Sequence, residues 1–246
     1  MILYFSATGN CKYVAKRIAE AIGTEFVSIA DVDSQKVEGV HGIVAPTYSW
    51  GIPSILQEFL QTHEISKAAP SLFYVTTFGT TPGQSFYWAE KALKAGSGIK
   101  FDALFSVQMP DTWTPIFDLS DERVVAKKNE KAEKQIDEVV TMIKSGATGN
   151  HVKRKMPAIA RVVYPRFYDG MRRTSNFSVE ESCISCGICA KKCPVQAIEM
   201  KDGRPTWVFD QCVMCLGCLH RCPKFAIQYG KNTKKHGQYR NPHVKI

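Results

Sequence analysis

At 246 residues, with a hydrophobic fraction of 44% and a formal net charge of +9, the chain is long enough for two modest domains, each with its own core. Residues 1–150 hold 14 Lys+Arg against 17 Asp+Glu, residues 151–246 hold 18 against 6, and eight of the nine cysteines fall in the last third, so the two parts differ in character. No apolar run approaches the ~18 residues of a membrane span and Met1 to Phe5 is too short for a signal-peptide core, which excludes a membrane-spanning reading and leads us to expect a cytoplasmic protein.

Ile2 to Phe5 is a short apolar run ending at Ser6-Ala7-Thr8-Gly9-Asn10-Cys11, after which Val14, Ala15, Ile18, Ala19 and Ile22 recur at helical spacing. The order is strand, loop, helix. Such a loop offers unpaired N–H groups at the positive end of a helix dipole, and Ser6 and Thr8 add hydroxyl donors, which suits a phosphate. Neither G-x4-G-K-[ST] nor G-x-G-x-x-G is present, so a nucleoside triphosphate or a dinucleotide is not indicated.

Further strands are predicted at Glu25 to Ser28, Ile43 to Ala45, Leu72 to Thr76 and Phe101 to Val107. Helices are predicted around Ile55, Phe59 and Leu60, through Leu93, and over Val124 to Ile143. The alternation predicts an α/β fold with a doubly wound parallel five-stranded sheet. Sheets of this kind bind ligands where strand order reverses. There the loops after the first, third and fourth strands bring together Ser6, Thr8, Gly9, Asn10 and Cys11, then Thr47, Tyr48, Ser49, Trp50 and Gly51, then Thr77, Phe78 and Gly79.

The first loop resembles the FMN phosphate loop of flavodoxins. Its usual last position is Thr or Ser, and Cys11 stands there as a weaker donor. The resemblance covers residues 1–146 and implies FMN as cofactor, with Tyr48, Trp50 and Phe78 as the aromatics nearest the ring.

Residues 147–176 form a connector in which Lys153, Arg154, Lys155, Arg161, Arg166, Arg172 and Arg173 alternate with Ile159, Val162, Val163, Tyr164, Phe167 and Tyr168. So many apolar residues suit a segment packed against one or both domains, basic face outward. Pro157, Pro165 and Gly170 interrupt any long amphipathic helix.

Two runs follow: Cys183, Cys186, Cys189, Cys193-Pro194 and Cys212, Cys215, Cys218, Cys222-Pro223, each C-x2-C-x2-C-x3-C-P and offset by 29 residues. In this cadence three close thiolates ligate one iron-sulfur cube and the fourth ligates the other. Cys183, Cys186, Cys189 and Cys222 are therefore expected to hold one [4Fe-4S] cluster, and Cys212, Cys215, Cys218 and Cys193 the second. Paired zinc sites and disulfide scaffolds fit this spacing poorly. Residues 177–230 resemble the bacterial-type two-cluster ferredoxins, a small α+β domain. Residues 231–246, with five basic residues and no acid, are expected to be a loosely held tail.

Taken together, the chain resembles the flavodoxin-ferredoxin fusion family. The resemblance implies an electron-transfer flavoprotein passing electrons between two [4Fe-4S] clusters and FMN. The alternative is an FMN-dependent reductase of a small acceptor, fed by its own ferredoxin domain. A redox partner protein, acidic to match the basic half, is expected rather than nucleic acid.

Overall fold

A computed structural model describes every residue from Met1 to Ile246. Six parallel strands form the main sheet: β1 (Ile2–Tyr4), β2 (Phe26–Ser28), β4 (Gly42–Pro46), β6 (Phe73–Phe78), β7 (Ala103–Gln108) and β8 (Gly149–Asn150), in the order β2-β1-β4-β6-β7-β8. Strand order reverses beside β1, so the loops after β1 and β4 open side by side there. All six residues of β6 are buried, as a central strand covered on both faces requires.

The five predicted strands are all present, and the count is corrected to six. β8 pairs only Gly149 and Asn150 with Ala103 and Leu104, too short a stretch to show any alternation of apolar residues. A second parallel pair, β3 (Lys36–Val40) with β5 (Glu64–Lys67), also went unpredicted; it is largely exposed, with Val37, Val40 and Ile65 buried.

Helices α1 (Asn10–Ile22) and α4 (Glu122–Lys144) cover one face, where Val14, Ile18 and Ile136 meet Ile2 and Phe105. Helices α2 (Ser54–Thr62) and α3 (Ser85–Ser97) cover the other through Leu56, Leu60, Ala89 and Leu93. Asp121 caps α4, its carboxylate accepting from the N–H groups of Arg123 and Val124.

The connector folds as α5 (Ala160–Met171), which continues through Pro165 and buries Ala160, Tyr164 and Tyr168 on one stripe. The smaller domain contains β9 (Phe177–Val179), α6 (Ile188–Lys191), β10 (Ile198–Lys201), β11 (Arg204–Trp207), α7 (Gly217–Arg221) and β12 (Ile227–Tyr229). Its pairings, β9 with β12 and β10 with β11, are antiparallel.

The duplication is visible in the backbone. Positive φ recurs at Ser185 and Met214, Gly187 and Leu216, and Gln196 and Phe225, each pair 29 residues apart. Leu216, rather than Gly217, occupies the place of Gly187, a conformation costly for a side-chain-bearing residue and therefore enforced by its surroundings.

The tail is not loose. It forms α8 (Thr233–His236) and then runs back over the larger domain, with Thr233, Tyr239 and Asn241 buried. Basic composition gave no sign of this, because the buried contacts are made by its uncharged Thr233, Tyr239 and Asn241.

Candidate functional site

A cavity of about 330 Å³ lies at the carboxyl ends of β1, β4, β6 and β7. Its floor is the loop between β1 and α1. No side chain caps α1, so its first N–H groups lack intrahelical acceptors and face the loop, where Gly9 adopts φ +96°. The Gly9 N–H is held by the Ser6 hydroxyl at 3.1 Å, and Ser6, Thr8, Asn10 and Cys11 all line the cavity.

Cys11 turns its thiol to the Thr77 hydroxyl, 3.0 Å away, and burial pushes that thiol up to about 12, so it stays neutral. The walls come from the two other expected loops. Thr47, Tyr48, Ser49 and Trp50 line one side; Thr77, Phe78 and Gly79 line the other. Tyr48 and Gly51 close a tight hairpin whose central residues, Ser49 (φ 48°) and Trp50 (φ 73°), are both left-handed and lack the freedom of glycine.

Two expected residues do not reach the cavity. The space beside Gly51 belongs to the Tyr164 ring, and the space beside Gly9 belongs to Asn241, 2.9 Å from where a Cβ would stand. At both glycines the missing side chain makes room for a neighbouring segment.

The roof was not legible in the sequence. It is made by Phe167, Tyr168 and Met171 of the connector and by Met214, Cys215 and Leu216 of the second cysteine run. Phe167 stacks on Trp50 with ring centroids 5.2 Å apart and 17° between planes. Spacing carries no signal for contacts between residues more than a hundred positions apart.

Asp111 is the one carboxylate on the wall, and burial raises its pKa despite a hydrogen bond from the Trp113 N–H at 3.1 Å. No Lys, Arg or His lines the cavity. A phosphate dianion would therefore rest on N–H and hydroxyl donors alone, at the positive end of α1.

The cysteines gather in the crossed sets the spacing predicts. One small cavity is lined by Cys183, Cys186, Cys189 and Cys222, another by Cys193, Cys212, Cys215 and Cys218. Each fourth cysteine is fixed alike: the Ala197 N–H donates to Cys193 Sγ at 3.3 Å and the Ala226 N–H to Cys222 Sγ at 3.2 Å. No three thiol, imidazole or carboxylate groups converge at single-ion distance. His220, between Cys218 and Cys222, is buried and neutral; its Nε2 donates to Thr112 O and its Nδ1 accepts from the Tyr239 N–H.

The family model for the flavodoxin domain matches residues 1–138. The chain belongs to the flavodoxin family. Beyond the flavodoxin domain, the model for a 4Fe-4S dicluster domain matches residues 182–227.

Among curated proteins, the chain is 62% identical over 26 residues to Ferredoxin-1 of Rhodospirillum rubrum, which covers 11% of this chain and 47% of that one. It is 31% identical over 67 residues to NADH-quinone oxidoreductase subunit I of Blochmanniella pennsylvanica, covering 27% of this chain and 37% of the relative. The chain thus spans less than half the length of each. A solved flavodoxin from the domain Archaea is 14% identical, with a TM-score of 0.33, covering 57% of this chain and 96% of its own. A flavodoxin domain and a 4Fe-4S dicluster domain in one chain are the parts of an electron-transfer protein.

Proposed function

We propose that this protein carries electrons between two [4Fe-4S] clusters and an FMN held in the cavity at the top of the sheet. Cys215 carries the proposal: it lines both the flavin cavity and the cavity of the second cysteine set. Cys215, with Leu216 beside it, is thus a wall common to both sites.

The residues that would hold FMN are the N–H groups at the start of α1 with the Ser6 and Thr8 hydroxyls for the phosphate, and Tyr48, Trp50 and Phe78 beside the ring. When bound, the clusters supply one-electron chemistry, and the flavin accepts one or two electrons. The protein's own contribution is arrangement. The first set includes the exposed Cys186, flanked by exposed Ile184 and Ile188, whereas all four cysteines of the second set are half-buried, and their run is tied to the connector through Arg172 Nε to Cys212 O and the Tyr168 hydroxyl to Val213 O. The order from surface to interior is first set, second set, flavin cavity. Exposed Lys191, Lys192 and Lys224, next to the cysteines, give the surface end a positive field suited to an acidic carrier protein.

A second reading, reduction of a small acceptor over the flavin, is favoured by Asp111. A buried carboxyl with a raised pKa, on the cavity wall, is placed to give up a proton there.

The test is composition and order of reduction. Anaerobically prepared protein should hold about eight iron atoms and one FMN per chain. Cys215→Ala should slow flavin reduction from an iron-sulfur donor while leaving reduction by a small reductant intact. Stoichiometric zinc in place of iron, or a flavin reduced equally fast in the variant, would overturn the reading.

A further inference from the structure

The tail packs directly against the phosphate loop. Asn10 lies 229 residues before Tyr239 and 231 before Asn241, yet its side-chain oxygen accepts from Asn241 Nδ2 at 3.1 Å and lies 2.9 Å from the Tyr239 hydroxyl, which shares its one proton between Asn10 Oδ1 and Asn129 Oδ1, the latter 3.0 Å away. Its Nδ2 donates to Pro110 O at 3.3 Å. Both ends of the Asn10 amide thereby have protein partners where the residue lines the cavity. What remains free for an anion at this residue is the backbone N–H.

The main chain is held as well. The Asn241 N–H donates to Thr8 O at 2.8 Å. In a trans peptide C=O and N–H point opposite ways, so a Thr8 carbonyl drawn toward the tail turns the Gly9 N–H inward, where the Ser6 hydroxyl receives it. Gly9 is required twice, for its φ of +96° and because Asn241, Val244 and Ile246 leave no room for a Cβ.

The strap is anchored at its other end on α7. The Tyr239 N–H donates to His220 Nδ1 at 3.1 Å, and the Gln238 amide donates to Leu219 O at 2.6 Å and Cys222 O at 2.8 Å. Farther along, Lys12 Nζ donates to Lys245 O at 2.7 Å and the His243 ring stacks on Tyr13 at 4.8 Å.

We propose that the C-terminal tail is a working part of the flavin-phosphate site, with Tyr239 and Asn241 as positioning residues that hold the loop at Thr8, Gly9 and Asn10 in its anion-binding form. This rests on the FMN reading above and deepens it. The tail acts on the phosphate and not on the ring, since no residue beyond Leu216 lines the cavity. It therefore selects the phosphorylated flavin over the unphosphorylated one.

The experiment is flavin titration of the deflavinated full chain with FMN and, separately, with riboflavin, which lacks the phosphate. Tyr239→Phe and Asn241→Ala are compared with the unaltered chain, and iron content is checked in each. Each variant removes hydrogen bonds to Asn10, so FMN affinity should fall about three- to tenfold while riboflavin affinity stays the same. Loss of both affinities in equal proportion would make the tail a general brace, and unchanged FMN affinity would make it irrelevant to the loop; either result overturns the proposal. If the unaltered chain binds neither flavin, the FMN reading itself fails, an outcome distinct from both.

Discussion

The Tyr168 hydroxyl donates to the carbonyl oxygen of Val213 at 2.8 Å and in turn accepts from the Ser54 N–H at 3.2 Å. One connector side chain thereby joins the loop entering α2 to the second cysteine run. Tyr168→Phe keeps the ring but leaves both backbone groups buried without this partner, at a cost of about 1–3 kcal/mol. Chemical denaturation of the anaerobic protein should show that loss; an unchanged midpoint would remove Tyr168 as the tie between domains.

Cys193→Ser should disturb the cluster of the second run and spare that of the first, since Cys193 shares its cavity with Cys212, Cys215 and Cys218. Low-temperature electron paramagnetic resonance with iron analysis checks this. Loss of the signal belonging to Cys183, Cys186 and Cys189 would show the crossed assignment to be wrong.

At the phosphate loop, Cys11→Ser should leave FMN affinity equal or slightly higher. The hydroxyl keeps the contact with Thr77 and donates better than a thiol. Thr8→Val deletes a hydroxyl from the cavity wall with little change of shape and should weaken FMN by about tenfold. Fluorescence titration decides both.

Asp111 sets a pH dependence. Its folded pKa lies above the unfolded value, so its contribution to stability is fully present below the unfolded pKa of about 3.9 and is lost as pH rises through the folded value. Asp111→Asn preserves an oxygen for the Trp113 N–H and carries no buried charge. The variant should melt higher than the unaltered protein at pH 8, and its advantage should shrink as the pH falls and Asp111 takes up its proton. An advantage that grows on acidification would contradict the assigned shift.

Docking of an acidic carrier should weaken when Lys191, Lys192 and Lys224 are neutralised together, and raising ionic strength from about 0.02 to 0.5 M should reproduce that loss in the unaltered protein. Flavin reduction by a small uncharged reductant should respond to neither. A carrier rate flat with salt would place the port elsewhere.

The sequence by itself determined the parts. Short apolar runs marked the five predicted strands, and apolar residues at a period near 3.6 marked their helices, because burial on a sheet or on a helix stripe is a local demand. The cysteine cadence pointed to the two groups of four thiols that line common cavities, because C-x2-C-x2-C-x3-C-P is the spacing of two-cluster ferredoxins. Ser6 to Cys11 was legible as the loop between a strand and a helix for a similar reason: that arrangement is local.

Only the tertiary structure decided how the parts face each other. Cys215 on the roof of the flavin cavity, Tyr168 between the domains, and Tyr239 and Asn241 on the phosphate loop are contacts across more than 40 residues, and in two cases across more than 160. The side chains involved are a cysteine, two tyrosines and an asparagine, and neither periodicity nor charge marks these contacts. Their roles arise from hydrogen bonds and packing between segments whose distance in the chain leaves no local pattern to read.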